Sequence, residues 1–242
     1  MSSEEIARYY DRNTPRYLAF GRGGRTYAIH RELWGPGVSN PAEAAAYLNE
    51  RVADHLLELG MGPAATILDL GCGVGGTLLH LAGRFPAASL VGVTVSPKQV
   101  EIGNRIVAER RLGARCRIAL GDFQTAALGG PVSAAVAIES FTHSDTPERF
   151  IAAAGAHLVP GGALVEVDDF VDEEGPARYG RHAERRLDEV RRGWRLPSLC
   201  AAETLIETAA RHGFEAAGDE DLTPLIRLGR PRDRLIALVA PL

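Results

Sequence analysis

Lysine is almost missing from this chain: of 27 basic residues among 242, only Lys98 is a lysine and the rest are arginines. Codon usage is the bland source of that bias. Its chemical consequence is that nearly every cation is a planar, permanently charged fork suited to carboxylate or phosphate. Cysteine is scarce as well. Cys72, Cys116 and Cys200 are odd in number, far apart and in no C-x-x-C pair, so neither a disulfide framework nor a zinc-ligand spacing is present. Positive charge is not in excess: 31 acids leave a formal net charge of −4, which argues against a duplex-binding protein. No run reaches the roughly 18–20 apolar residues of a bilayer span. The N-terminus, MSSEEIARYYDRN, is polar and lacks the apolar core of a signal peptide. These absences predict a cytoplasmic protein with no nucleic-acid partner and no membrane span. What is present is ordinary for a globular chain, with 45% hydrophobic and 24% charged residues, enough for one large α/β domain or two small ones.

Three helix starts are written in capping chemistry. Asn40-Pro41-x-Glu43 and Ser96-Pro97-x-Gln99 each offer a capping side chain, a proline at the first helical position and a return partner. Thr146-Pro147 opens a third. Gly60, Gly113 and Gly213 are the expected stops, the last for a helix over about Ala201 to His212. Between them lie apolar runs at Thr66–Leu70, Leu90–Val95, Cys116–Leu120, Val132–Ile138 and Ala163–Val167, continuous as in strands covered on both faces. The alternation predicts an α/β fold with a doubly wound, mostly parallel sheet. Phe214–Ala217 and Arg234–Ala240 add two strands without a helix between them. The expected sheet is therefore seven-stranded, with an antiparallel C-terminal strand. Residues 1–40, rich in aromatics, read as a helical N-terminal lid. Residues 41–242 form the main domain, with a cap helix inserted at about 172–198.

The strongest motif is Asp69-Leu-Gly71-Cys72-Gly73-Val-Gly75-Gly76, placed after the first strand and before a helix. Gly71-x-Gly73-x-x-Gly76 also satisfies the dinucleotide fingerprint, so the loop alone does not choose a cofactor. A nicotinamide oxidoreductase would want an acid at the end of the second strand for the ribose, where this chain has Val93-Thr94-Val95-Ser96. Asp69, two residues before the first glycine, suits a free ammonium instead. The series D-x-G-x-G-x-G, Gly92-Val-Thr94-Val-Ser96-Pro97-x-Gln99, Gly121-Asp122-Phe123, Ala137-Ile138-Glu139-Ser140-x-x-His143 and Leu158-Val-Pro160-Gly161-Gly162 resembles the class I S-adenosylmethionine (SAM)-dependent methyltransferases. In its order it is similar to their tocopherol, sterol and terpenoid C-methyltransferase branch. The resemblance implies a Rossmann-like fold with SAM as cofactor and S-adenosylhomocysteine as product. It implies that Asp69, Gly71, Cys72, Gly73 and Gly75 line the methionine part, with Cys72 a packing residue. Thr94 and Gln99 take the place of the ribose acid, Asp122 and Phe123 meet the adenine, and Glu139 closes the site.

Methyl transfer is an in-line displacement, for which the enzyme supplies approach geometry and, where needed, a base. Glu139, His143 and Tyr17 are the expected catalytic residues. The branch implies an alkene nucleophile of a prenyl or terpenoid substrate and a carbocation, which wants aromatic faces and a carboxylate. Tyr9, Tyr10, His30 and Trp34 are the expected lid contacts, and His30-x-x-x-Trp34-Gly35 is similar to the lid of terpenoid and prenyl C-methyltransferases. Arg22, Arg25, Arg178 and Arg181 are where a substrate diphosphate would find partners. No protein metal site is expected. Glu166, Asp168, Asp169, Glu173 and Glu174 read as solvated loop acids, and Mg²⁺ enters only with a diphosphate substrate. The partner is thus a small apolar molecule, with homo-oligomerisation left open. O- or N-methylation with His143 as base is the alternative, and a SAM-binding module without catalysis is a further one.

Overall fold

In chain order the elements are α1 (Ser3–Phe20), α2 (Pro41–Glu58), β1 (Thr66–Leu70), α3 (Gly76–Arg84), β2 (Ser89–Thr94), α4 (Pro97–Glu109), β3 (Cys116–Leu120) and β4 (Val132–Ile138). There follow a 3-10 turn at Phe141–His143, α5 (Pro147–His157), β5 (Leu158–Val167), α6 (Arg181–Trp194), α7 (Ala202–Arg211) and a second 3-10 turn at Thr223–Leu225. The structure is a computed structural model and describes residues 3–20, 26–172, 174, 178 and 180–227. Among them no helix is long and apolar enough to cross a membrane.

Among the described residues five strands pair, all parallel, in the order β3-β2-β1-β4-β5. Alternation along β1 builds two core layers. Ile67 faces α2 and α3, against Leu48, Val52, Leu56, Leu78 and Leu81. Leu68 and Leu70 face the other way, against Phe141, Phe150 and Ile151 of the turn and α5 and Leu205 of α7. Each such side chain, removed from water, stabilises the fold by about 1.5–3 kcal/mol before entropy is counted.

The capping side chains act as their sequence predicts. Asn40 accepts from the N–H groups of Ala42 and Glu43, Ser96 from Gln99 and Thr146 from Arg149. Their return partners do not. Glu43 reaches back to the N–H and hydroxyl of Ser39, and Gln99 turns inward to Thr94 and Thr14. β5 starts earlier than expected, at Leu158, because the Pro160-Gly161-Gly162 segment bulges out of the pairing and shifts its register.

The C-terminal expectation needs correction. Phe214–Ala217 forms no strand: the Phe214 N–H is committed to Ala209 O at the end of α7, and the ring packs beside Gly155 of α5. A donor used to close a helix is not available to a sheet ladder. Arg234–Ala240 lies outside the described residues.

Candidate active site

The carboxyl ends of β1, β2 and β4 open on one cavity of about 1040 Å³, counted with its open mouth. This is the edge of an open parallel sheet where ligands gather, since each strand there hands over to a loop. Gly71 and Gly73 hold left-handed backbones (φ 86° and 56°) along its wall. A Cβ on Gly71 would stand 2.5 Å from Ser140 Cβ, so the loop lies directly against the end of β4. Gly75 does not reach the cavity; it starts α3 with φ 87°, and a Cβ there would meet Ile118 at 2.7 Å. Cys72 is buried, and its sulfur packs at Gly92.

Asp69 lies buried in the cavity wall, and its Oδ2 has no hydrogen-bond partner. Burial raises its pKa to about 7. A desolvated, unpaired carboxylate beside a glycine loop fits a cationic head group, because an ammonium would satisfy it. Thr94 and Gln99 line the neighbouring wall and are bonded to each other. Asp122 and Phe123 follow β3 on the same rim; Asp122 accepts from the Gln124 N–H (2.9 Å) and from the Ser3 hydroxyl. Phe123 stands edge-on to Phe150, with 5.9 Å between ring centroids. This donor and acceptor set fits SAM, which carries an ammonium and an adenine and no diphosphate.

The N-terminal segment covers one side. On α1, Asp11 accepts from the Ser96 hydroxyl and the Lys98 N–H, and Thr14 accepts from Gln99 Nε2 (3.1 Å). Tyr27, Ala28, Ile29 and His30 then cross the start of α3, where a Cβ on Gly76 would come within 2.6 Å of Tyr27 O. His30 borders the cavity with Nδ1 on Arg31 O, and burial lowers its pKa. Tyr10, rather than the expected Tyr17, presents its ring to the cavity; Tyr17 and Tyr9 bond each other (2.8 Å) outside it. Seven residues is about two helical turns, so the two tyrosines share a face of α1 and differ in height along it; only at the height of Tyr10 does the hydroxyl meet His143 Nε2 (2.9 Å).

His143 is held at both nitrogens. Its Nδ1 meets Arg195 O at 3.1 Å, and a carbonyl only accepts, so Nδ1 carries the proton and Nε2 accepts from Tyr10. Burial lowers its pKa, in keeping with a neutral ring. Glu139 stands at the tip of β4 with a left-handed backbone, φ 49°, rare for a residue with a Cβ and a mark of stored strain. Its N–H donates to Val167 O, and its Oε1 accepts from the Arg31 N–H (2.9 Å). Burial raises the Glu139 pKa against the opposing pull of Arg31.

Several expected contacts are elsewhere. Trp34 leaves the cavity: its main-chain N–H donates to Leu225 O, and the Arg227 guanidinium lies 4.1 Å over its ring. Arg178 is exposed and engaged by Asp172 and Glu174. Arg181 opens α6, while Arg22 and Arg25 lie outside the described residues. The acids at the end of β5 and just beyond it are not all solvated loop residues. Asp168 accepts from the N–H and hydroxyl of Thr142, and burial raises its pKa to about 7. Burial raises that of Glu166 as well. Glu173 lies outside the described residues. Among the described residues no group of three or more His, Cys, Asp or Glu is arranged to hold a metal. Sequence reasoning missed Arg31, hidden among many arginines and carrying no motif, and Ser3, Asp11 and Thr14, which only the packing of α1 brings to the rim.

Residues 67–162 match the profile of a methyltransferase domain. The 24-methylenesterol C-methyltransferase 2 of Arabidopsis thaliana is 31% identical over 188 residues, 77% of this chain and 50% of that protein. The chain belongs to the class I SAM-dependent methyltransferases. It spans about half the length of that curated relative. Among solved structures, the [4+2]-cyclase SpnF superposes with a TM-score of 0.76 at 27% identity, covering 93% of this chain and 76% of that one. A geranyl diphosphate methyltransferase, in complex with GPP and sinefungin, shares the fold with a TM-score of 0.77 at 24% identity, covering 92% and 85%. The methyltransferase profile begins at β1 and ends within β5, so it takes in the glycine loop, Asp122 and Glu139.

Proposed function

We propose that this protein transfers the methyl group of SAM to an alkene carbon of a small prenyl or terpenoid substrate, through a carbocation. One observation carries the reading: Glu139, in a strained left-handed backbone, presents its carboxylate to the same cavity as the glycine loop, with the Tyr10 ring beside it. The sulfonium of bound SAM supplies an electrophilic methyl group. Asp69 would hold the ammonium, Asp122 the adenine amino group, after release of Ser3, and Phe123 the ring face. Glu139 stabilises positive charge developing on the substrate and accepts the proton that leaves it, and Tyr10 offers a π face and a hydroxyl. The sterol and geranyl diphosphate relatives support an isoprenoid substrate. Mg²⁺ belongs to the reading only where the substrate carries a diphosphate.

O- or N-methylation with His143 as base is less well supported, because its Nε2 lone pair is occupied by the Tyr10 hydroxyl. The likeness to a cyclase supports one further outcome, ring closure on a SAM-binding scaffold without consumption of SAM. Labelled SAM with prenyl diphosphates, sterols and phenols separates these. Label in the first two groups is expected; label only in phenols favours the O-methyl reading, and substrate loss without label favours cyclisation. Glu139→Gln is expected to cut turnover by about 10²-fold or more while leaving SAM affinity nearly intact. An unchanged rate removes Glu139 from the mechanism.

A further inference from the structure

Glu139 does not hold its position alone. Its Oε1 accepts from the main-chain N–H of Arg31 at 2.9 Å, across 108 residues of sequence. The Arg31 guanidinium in turn grips both carboxylate oxygens of Asp169, just beyond β5. Asp169 is tied back through its own N–H to Asp168 Oδ1 (2.9 Å), and Asp168 is bonded to Thr142 just past Glu139. The chain closes on itself: lid segment, end of β5, turn after β4, and Glu139 between them.

We propose that Arg31 is a positioning residue for Glu139, the clamp on Asp169 holding both the N–H that Glu139 accepts from and a positive charge beside that carboxylate. Arg31 belongs to the lid segment, so seating of that segment and the charge of Glu139 become one event. The groups facing Glu139 give the sign of the effect. Arg31 favours its ionised form, Asp169 disfavours it, and burial among the surrounding elements disfavours it most. Asp168 and Tyr10 are the other titratable neighbours, with His143 behind Tyr10. A two-pronged guanidinium grip is directional as well as attractive, which a single ammonium cannot reproduce.

The proposal rests on the reading of Glu139 as the reactive carboxylate, and its test does not need the substrate. The titration of Glu139 is followed by ¹³C NMR of protein labelled at glutamate carboxyls, with the resonance assigned by its loss in Glu139→Gln. Arg31→Met and Asp169→Asn break the same ion pair. Both release the Arg31 N–H and its charge from Glu139 and are expected to move the midpoint to higher pH, Asp169→Asn by less because it also removes an anion. Arg31→Lys, which keeps the charge, is expected to stay between parent and Arg31→Met. A midpoint that falls in Asp169→Asn, or that moves in neither variant, overturns the proposal, since an aspartate acting only as a neighbouring anion would lower it and a merely structural brace would leave it unmoved. Unchanged turnover in Glu139→Gln would instead remove the proposed catalytic role and leave the titration result standing.

Discussion

Asp69 serves binding at the expense of folding. Its carboxyl is raised from 3.8 to about 7 by burial with no partner for Oδ2. An acid whose pKa is raised on folding stabilises the native state most below its unfolded value, and that contribution is lost as pH rises through the folded one. For Asp69 the window runs from about pH 4 to about pH 7. Ligand-free Asp69→Asn is therefore expected to melt above the parent at pH 8, with the gap closing toward pH 4; a parent that melts higher at pH 8 would contradict this. Binding has the opposite sign, because an ammonium wants the charged form. SAM affinity measured by calorimetry is expected to tighten from pH 6 to pH 8 in the parent and to be flat and about tenfold or more weaker in Asp69→Asn. Glu139 belongs to the same class of residue, strained in backbone and desolvated in side chain. Both stand where a motif placed them; their partners, or lack of partners, were not readable from the motif.

At the scale of the element, three helices end by one device. After α2, α4 and α7 the second residue past the helix donates to the carbonyl three residues back (5→2), and the next to the carbonyl five back (6→1): Gly60 and Met61, Arg111 and Leu112, Gly213 and Phe214. The middle case departs from the sequence expectation. Gly113 is not the stop; Arg111 takes the left-handed turn itself, with φ 58°. A Cβ in that conformation costs about 1 kcal/mol that glycine does not. Arg111→Gly is accordingly expected to raise the melting temperature by about 2–4 °C, and Gly213→Ala to lower it by a similar amount. An unchanged or lower melting temperature in Arg111→Gly would deny the strain. Helix starts were legible because a cap is a contact between residues two or three apart. The stop at Arg111 was not, since Val107 O and Ala108 O accept whichever residue the bend of the chain delivers. Phe214 fails as a strand for the same reason: its apolar pattern suits a strand, but its N–H was already spoken for.

Across the whole molecule the tightest backbone approach of the lid is to the start of α3. The backbone of Tyr27 and Ala28 lies so close to Gly76 that an added Cβ would fall 2.6–3.0 Å from their atoms, main chain that cannot swing aside as a side-chain end can. Gly76→Ala is expected to lift residues 27–31 from α3 and so to detach Arg31 from Glu139. Turnover and SAM affinity should both fall by about tenfold or more, while far-UV circular dichroism keeps the parent's helical content. Normal activity in this variant would show that the lid tolerates displacement. α6 is the contrasting case, with Val190 and Trp194 exposed.

The scarcity of lysine, the capping triplets, the glycine loop and the apolar strand runs needed no coordinates to be read. Each is a local pattern whose physical meaning is complete within a few residues: a cap, a turn without a Cβ, a face with period two. From them came the parallel sheet, while the cofactor class and the roles expected of Asp69, Asp122 and Glu139 came with the family resemblance. Tertiary structure alone decided which tyrosine faces the cavity, which nitrogen of His143 carries the proton, that Phe214–Ala217 is no strand and which of the 26 arginines meets Glu139. Those are contests between groups far apart in the chain, settled by packing. Arg31 became distinct from the others only when the fold set it between Asp169 and Glu139.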